Sequence, residues 1–340
     1  MAVTPWMLFD ELTRKAQIAN PWKPAGDRLV FEPDFALLGR LLAVPLHLNA
    51  TTQSGVPAKA FDVWVAHEFR RAGFTGDAVW PRARRPRVLP REVALLLGHV
   101  PAGQRSELER RLSSGMAGVS GSDARILGKN YIKQVDVVIA EWQRGPELLV
   151  STKRMDASFS NNALNRVEES YGDAKNLRGR HPLAALGYLF SLRSTAWDQV
   201  PAVAERIVDL LVKLGREDDA YDATALVVPR YDLPSGSAGV EEPDETADPG
   251  EGDGAVTAPA AAEVDPAMPD ADSTELQRQL DGLPPVGFLH DKVPEGLQPA
   301  RFFQRLIERM LGLTPVELHT DARRLRAEAA GSERLVDGTT

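Results

Sequence analysis

The fold-deciding stretch of this chain, residues 131–180, reads YIKQVDVVIAEWQRGPELLVSTKRMDASFSNNALNRVEESYGDAKNLRGR. Its first apolar run contains an acid, Asp136, and its second ends in Ser151, Thr152 and Lys153. The turn residues between the runs and the helical spacing after them predict a hairpin followed by a helix. Such an arrangement can bring an acid, a lysine and an acid of the helix to one place.

The composition is that of an ordinary globular protein. The chain has 340 residues, 43% of them hydrophobic, and no cysteine. Disulfides, thiolate metal sites and cysteine nucleophiles are therefore excluded. The first 15 residues include acids and no long apolar run, and no later segment approaches the roughly 20 apolar residues of a membrane helix. We expect a soluble cytoplasmic protein.

Most of the negative charge lies in one segment. Residues 234–272 hold 11 acids and no lysine or arginine, so the formal charge of −8 becomes +3 when these acids are set aside. A segment of proline, alanine, glycine and acids buries too little apolar surface to fold, and we predict a disordered linker. It is interpreted as a solubilising spacer, or as an acidic mimic that competes for the protein's own basic groove.

Periodicity predicts the elements around the opening stretch. An apolar run at 35–48 is buried, helices are expected at 57–73, 90–97, 104–112 and 202–214, and strands at 124–132, 135–142, 147–153, 183–192 and 223–233. An amphipathic helix at 299–311 should dock on the core or on a second subunit. The predicted organisation is an N-terminal segment 1–56, an α/β core 57–233 with a helical insertion at 90–120, the linker, and a helical segment 273–340.

Two groups of basic residues are candidates for DNA contacts. Prolines interrupt an arginine-rich stretch, so its guanidinium groups extend from a non-helical backbone towards phosphates, or simply into solvent. A second basic group follows the helix of the opening stretch and either contacts DNA or pairs with the helix dipole. The residues concerned are Arg82, Arg84, Arg85 and Arg87 in the first group, and Arg178, Arg180 and His181 in the second.

Residues 57–233 resemble the PD-(D/E)xK nuclease superfamily, whose fold is restriction-endonuclease-like: a central mixed sheet flanked by helices. In that family an acid on the second core strand and an acid-x-lysine on the third converge at the open edge of the sheet. Asp136 matches the first acid and Lys153 the lysine, while Val135 stands at the weakly kept proline. Ser151 stands where the second acid belongs, which departs from the pattern.

The resemblance implies that the missing carboxylate comes from the following helix, as in some restriction enzymes of the superfamily. Glu168 is favoured because the helical pattern places it on the face of Leu164 and Tyr171, and Glu169 is the near alternative. Either glutamate would hold Mg²⁺ with Asp136, helped by the carbonyl of Thr152. Further acids of upstream helices are held in reserve: Asp62, Glu68, Glu107 and Glu109.

The chemistry implied is Mg²⁺-dependent hydrolysis of a phosphodiester. Lys153 would orient the water and offset charge on the phosphorus, and Ser151 would donate hydrogen bonds nearby. We expect a Type II restriction endonuclease of phage defence, a homodimer cutting double-stranded DNA beside a cognate methyltransferase. The alternatives are another DNA nuclease of this fold (for repair, transposition or modified DNA) and a non-catalytic DNA-binding or interaction protein.

Overall fold

The computed structural model describes residues 3–51, 54–116, 119–157, 159–232 and 273–336, with backbone alone at 160–165 and 332–336. The predicted acidic linker, 234–272, lies outside the described residues. The helices are α1 Pro5–Lys15, α2 Phe35–His47, α3 Val56–Arg71, α4 Arg91–His99, α5 Ala102–Ser113, α6 Phe159–Arg178, α7 Thr195–Gln199, α8 Pro201–Leu214, α9 Ser273–Asp281, α10 Pro299–Leu313 and α11 Thr320–Val336. The strands are β1 Trp22–Ala25, β2 Arg28–Phe31, β3 Val79–Trp80, β4 Ala124–Leu127, β5 Ile132–Val135, β6 Val137–Glu141, β7 Gly145–Met155, β8 Ala185–Leu192, β9 Ala223–Val227, β10 Pro229–Arg230 and β11 Gly287–Phe288.

A mixed five-stranded sheet, in the order β3-β6-β7-β8-β9, forms the centre of the fold. β3, β6 and β7 are antiparallel neighbours, whereas β7, β8 and β9 run parallel. A parallel pair needs a crossover, and α6 supplies it from β7 to β8 as α7 and α8 do from β8 to β9. Helices flank the sheet, so the predicted α/β class with a central mixed sheet is confirmed at that level.

The two faces of the sheet are covered by different helices. β7 alternates between them: Leu148 and Val150 pack with α3 and α10, while Leu149 packs with α6 and α8. α10 docks on the first face as expected, burying a stripe of five large side chains. These are Phe302, Phe303, Leu306, Ile307 and Met310.

Gly187 of β8 makes the close approach of α10 possible. A Cβ atom at this position would lie 2.7 Å from Leu306 Cδ1 and 2.8 Å from Phe302 Cζ. Each large apolar side chain buried here contributes roughly 1.5–3 kcal/mol. The C-terminal segment is therefore part of the core packing, and among the described residues no helix is long and apolar enough to cross a bilayer.

Three predicted strands differ from the structure. The strand expected at 124–132 is two strands, β4 and β5, which pair only with each other; the turn at Gly128 is held by Asn176, whose Oδ1 accepts from Asn130 N. The first strand of the central sheet is instead the two-residue β3. The strand expected at 135–142 begins after Asp136, and the one expected at 223–233 ends at Val227.

Candidate functional site

Asp136 lies where the chain passes from the β4–β5 ribbon into the central sheet. It separates β5 from β6, and its Oδ2 accepts a hydrogen bond from the backbone N–H of Thr152 at 2.7 Å. Val137 and Val150 are cross-strand partners, so Asp136 reaches the part of β7 just beyond the paired region. An acid next to an apolar strand needs such a partner. The contact joins the two sequence-predicted positions Asp136 and Thr152.

A second carboxylate reaches the same threonine from α3. Asp62 is 1% exposed, and its Oδ1 accepts from the Thr152 hydroxyl at 2.7 Å. Burial raises the pKa of Asp62 to about 7, although the nearby charge of Lys59 opposes the shift. Thr152 thus binds Asp136 through its backbone and Asp62 through its side chain. Of the four reserve acids, Asp62 is the one placed here.

One ammonium group lies among three carboxylates at this site. Lys59 Nζ is 3.4 Å from Asp62 Oδ2 and 3.2 Å from Asp123 Oδ1, and Asp136 acts on it electrostatically. Burial opposes the charge on Lys59, but the three carboxylates raise its pKa. Sequence reasoning missed Lys59 and Asp123. The spacing of Lys59 and Asp62, one helical turn apart on α3, was the available signal.

Ser151 and Lys153 face the side of β7 opposite to Thr152. Ser151 is buried, and the hydroxyl of Tyr221 lies close enough to interact with it. Lys153 is half-buried beside Phe190, its partner in β8. Because strand residues alternate between faces, Lys153 and Asp62 approach the sheet edge from opposite sides. The site therefore spans the end of β7 rather than one face.

The two glutamates of α6 are exposed. The helix buries Val167, Ser170, Ala174 and Leu177, whereas Tyr171, expected on the buried face, is 39% exposed. The predicted buried face was therefore wrong at Tyr171, because the neighbouring Ser170 faces the sheet in its place. The reason for preferring Glu168 is thereby removed. Burial raises the pKa of Tyr188, and the charges of Asp173 and Glu169 add to this shift. Glu169 therefore lies near a polar group of the sheet.

The arginine-rich stretch is partly internal. Arg82 is 3% exposed and pairs with Asp77 at 2.6 Å; Arg87 is 6% exposed and pairs with Asp10 at 2.7 Å. These two guanidinium groups fasten the stretch to the fold and are turned away from the surface, which corrects their interpretation as phosphate contacts. Arg84 is exposed and Arg85 is half-buried, so these two arginines remain the candidates of this stretch for phosphate contacts.

The basic residues after α6 lie at the far end of the sheet. α6 starts just after β7 and its 20 residues run about 30 Å to Arg178, beside the beginnings of β8 and β9. Arg178 pairs with Asp222 at 2.6 Å, and His181 Nε2 lies 2.9 Å from the carbonyl of Leu127. Arg180 is exposed. The helix thus carries this basic group to the end of the sheet opposite Lys153.

Two of the remaining reserve acids have structural partners. Glu68 is buried against Arg71, and Glu107 pairs with Arg110 and Arg111 on α5, the helix that also carries the half-buried Glu109. Across the described residues, no three acidic or histidine side chains form a ready-made metal cage. Mg²⁺ does not require one, since it is usually held by one or two carboxylates together with phosphate and water. Asp62 and Asp136 meet that lesser requirement.

Comparisons with protein-family models, with curated proteins and with solved structures find no match to this chain.

Proposed function

We propose that the protein is a Mg²⁺-dependent endonuclease that hydrolyses phosphodiesters of double-stranded DNA. The observation that supports this most is the meeting of Asp136 and Asp62 on Thr152, one residue before Lys153. Two carboxylates from separate elements and a lysine at one sheet edge are what metal-assisted phosphoryl chemistry needs. The resemblance to PD-(D/E)xK nucleases supports the roles of Asp136 and Lys153, whereas Asp62 stands in for the strand acid that Ser151 replaces.

In this proposal Asp62 takes the role that the sequence assigned to Glu168 or Glu169. Asp136 and Asp62 would hold Mg²⁺, with the carbonyl of Thr152 as the proposed third oxygen. Mg²⁺ would supply polarisation of the scissile phosphate and activation of a water. Lys153 would offset charge on the phosphate, and Ser151 lies on the same face of β7 as Lys153. Glu169 remains the alternative donor from α6.

Lys59 has a separate role, that of a counter-ion. Three carboxylates close together repel one another, and an ammonium group at 3.2–3.4 Å from two of them offsets this repulsion. With Mg²⁺ held by Asp136 and Asp62, Lys59 would keep Asp123 as its partner. The site is thus prepared for a cation before one arrives.

Cutting both strands of a duplex requires two active sites, which favours a homodimer. Arg84, Arg85 and Arg180 are the predicted phosphate contacts left accessible at the surface. A Type II restriction enzyme of phage defence, paired with a cognate methyltransferase, is the form of this activity that we favour. Repair, transposon and modification-dependent nucleases share the same chemistry.

A non-catalytic DNA-binding protein is the second candidate. The observation that favours it is that Lys59 already pairs with Asp62 and Asp123, so the cluster forms an ion-pair network without metal. A protein that has kept a nuclease-like fold for binding would retain this network. It would bind DNA without cutting it.

Plasmid digestion distinguishes the two candidates. We expect wild-type protein to nick or linearise supercoiled plasmid with Mg²⁺ and not with EDTA. Lys153→Ala should lose cleavage but still shift a labelled duplex in a gel, while Lys213→Ala, which changes an exposed lysine of α8, should behave as wild type. Binding without cleavage by the wild-type protein would favour the second candidate; full cleavage by Lys153→Ala would contradict the assigned mechanism.

A further inference from the structure

A second polar cluster lies at the end of β7, beyond the candidate site. Arg154 Nη2 donates to the Tyr231 hydroxyl at 2.9 Å, and its Nε is 2.5 Å from Asp156 Oδ2. The Tyr231 hydroxyl in turn donates to Asp156 Oδ1. Arg193, from the loop after β8, donates to the Tyr231 carbonyl at 2.9 Å. The cluster therefore connects the ends of the parallel strands β7, β8 and β9 with the residues that follow them. Ligands of open α/β sheets bind at this end of the strands.

The charges of this cluster do not balance. Both guanidinium groups lie against the Tyr231 ring, with Arg193 5.0 Å and Arg154 5.9 Å from its centroid. Asp156 is the one carboxylate in contact with either of them among the described residues. The charge left over is that of Arg193, which is half-buried and has no carboxylate partner among the described residues. A partly buried charge without a counter-ion favours an anion nearby.

Several donors of the cluster also lack a partner. Arg154 Nη1 and Arg193 Nε are buried without a hydrogen-bond acceptor, and Arg154 Nε lies close to Asp156 without the geometry of a hydrogen bond. Buried donors are satisfied in nearly all proteins, and an unsatisfied set around excess positive charge indicates an acceptor that arrives from outside. A tetrahedral phosphate offers several acceptor oxygens and matches guanidinium groups well.

The position of Arg154 connects this cluster to the candidate site. Arg154 follows Lys153 directly, about 3.8 Å away along the chain, and projects from the same face of β7 as Thr152. Asp62 binds Thr152 on that face. A phosphate held by Arg154 would therefore lie on the face of β7 where Asp62 binds Thr152, one residue from Lys153.

We propose that Arg154 and Arg193 form a subsite for a DNA backbone phosphate adjacent to the scissile one. This inference rests on the proposed function, since it takes the substrate to be a nucleic-acid strand. Tyr231 and Asp156 are positioning residues, because they fix the guanidinium of Arg154 and leave its Nη1 for the ligand. Arg193, which is half-buried, forms the accessible wall of the subsite.

The test measures DNA binding without catalysis. The affinity of a fluorescein-labelled duplex is followed by anisotropy in EDTA over a series of salt concentrations. One lost phosphate contact lowers the slope of log K against log salt by about 0.9. We expect this change, with weaker binding, in Arg193→Ala. Arg216→Ala, which removes an exposed arginine near the opposite end of β9, is the control and should keep the wild-type slope.

A second variant, which should bind DNA more tightly rather than more weakly, keeps the test independent of losses caused by misfolding. Asp156→Asn removes the one carboxylate of the cluster and should tighten duplex binding several-fold, whereas mere misfolding would weaken it. A wild-type slope in Arg193→Ala, or weaker binding by folded Asp156→Asn, would overturn the subsite. Inorganic phosphate is tested as well. If it raises the thermal stability of the wild-type protein but not of Arg193→Ala, while duplex binding is the same in both, the site binds a free phosphate compound and the DNA subsite is overturned. Since none of these readouts uses Mg²⁺, a failure of cleavage leaves them interpretable.

Discussion

Replacing Lys59 with methionine separates a cation-binding site from a purely structural ion-pair network. The change keeps most of the apolar stem of the side chain and removes the ammonium that lies 3.4 Å from Asp62 and 3.2 Å from Asp123. Removing one partner of a buried ion pair costs about 3–5 kcal/mol. We expect about 3 kcal/mol, the lower limit, because the Lys59 side chain is 30% exposed and Asp62, with its pKa raised to about 7 by burial, readily takes up a proton.

Mg²⁺ should restore much of this loss. A ligand that binds only the folded state stabilises it by about 2.7 kcal/mol at one hundred times its dissociation constant. Without the competing ammonium, Asp62, Asp123 and Asp136 become a better site for a divalent cation. Urea unfolding of Lys59→Met in a Mg²⁺ series should therefore show a rise in unfolding free energy larger than that of the wild-type protein.

Lys133→Met is the matched control. Lys133 pairs with Asp173 at 2.7 Å and its side chain is 31% exposed, nearly as for Lys59, but this pair lies outside the group of Asp62, Asp123 and Asp136. This variant should be destabilised without recovery in Mg²⁺. Equal recovery of both variants, or none in Lys59→Met, would refute the interpretation of the three carboxylates as a cation site.

Three further predictions concern the framework of the site. Thr152→Val removes the hydroxyl that binds Asp62 and should cost about 1–3 kcal/mol of unfolding free energy in urea, with Thr152→Ser close to wild type. Gly187→Ala adds a Cβ less than 3 Å from two side chains of α10 and should cost about 1–3 kcal/mol, whereas Gly172→Ala, whose Cβ meets nothing within 4 Å, should be neutral or stabilising; equal effects would contradict the close packing of α10. Burial, then two neighbouring arginines, lower the pKa of His67 to about 3, so between pH 6.5 and 3 the unfolded chain binds the extra proton and stability falls with falling pH. Relative to wild type, His67→Gln should therefore gain about 1.6 kcal/mol between pH 6.5 and pH 5, and a pH-independent difference would exclude this cause.

The sequence predicted the elements whose signal is local. The apolar runs that became β7 and β8 and the helical spacing of α6 and α8 are visible within short windows, and the right order of strand and crossover helix followed from them. The contact between Asp136 and Thr152 was also within reach, because a hairpin brings residues 16 positions apart together. These parts of the site are set by neighbours along the chain.

The rest depends on contacts between distant residues. Asp62 meets Thr152 across 90 positions, and nothing in the sequence of α3 distinguishes it from Glu68, which is equally buried but pairs with Arg71. Burial of Arg87 likewise depends on its pairing with Asp10, 77 positions away. Polar residues inside a fold look the same in sequence as polar residues on its surface, so the arginine-rich stretch was read as exposed.

Cleavage by carboxylate variants tests the central claim most directly. Asp136→Asn, Asp62→Asn and Glu168→Gln are incubated with supercoiled plasmid and Mg²⁺ beside the wild-type protein. The account predicts that the wild-type protein and Glu168→Gln cleave, while Asp136→Asn and Asp62→Asn do not cleave but still bind the duplex. Cleavage by Asp62→Asn at the wild-type rate, together with loss of cleavage in Glu168→Gln, would contradict it and return the second carboxylate to α6.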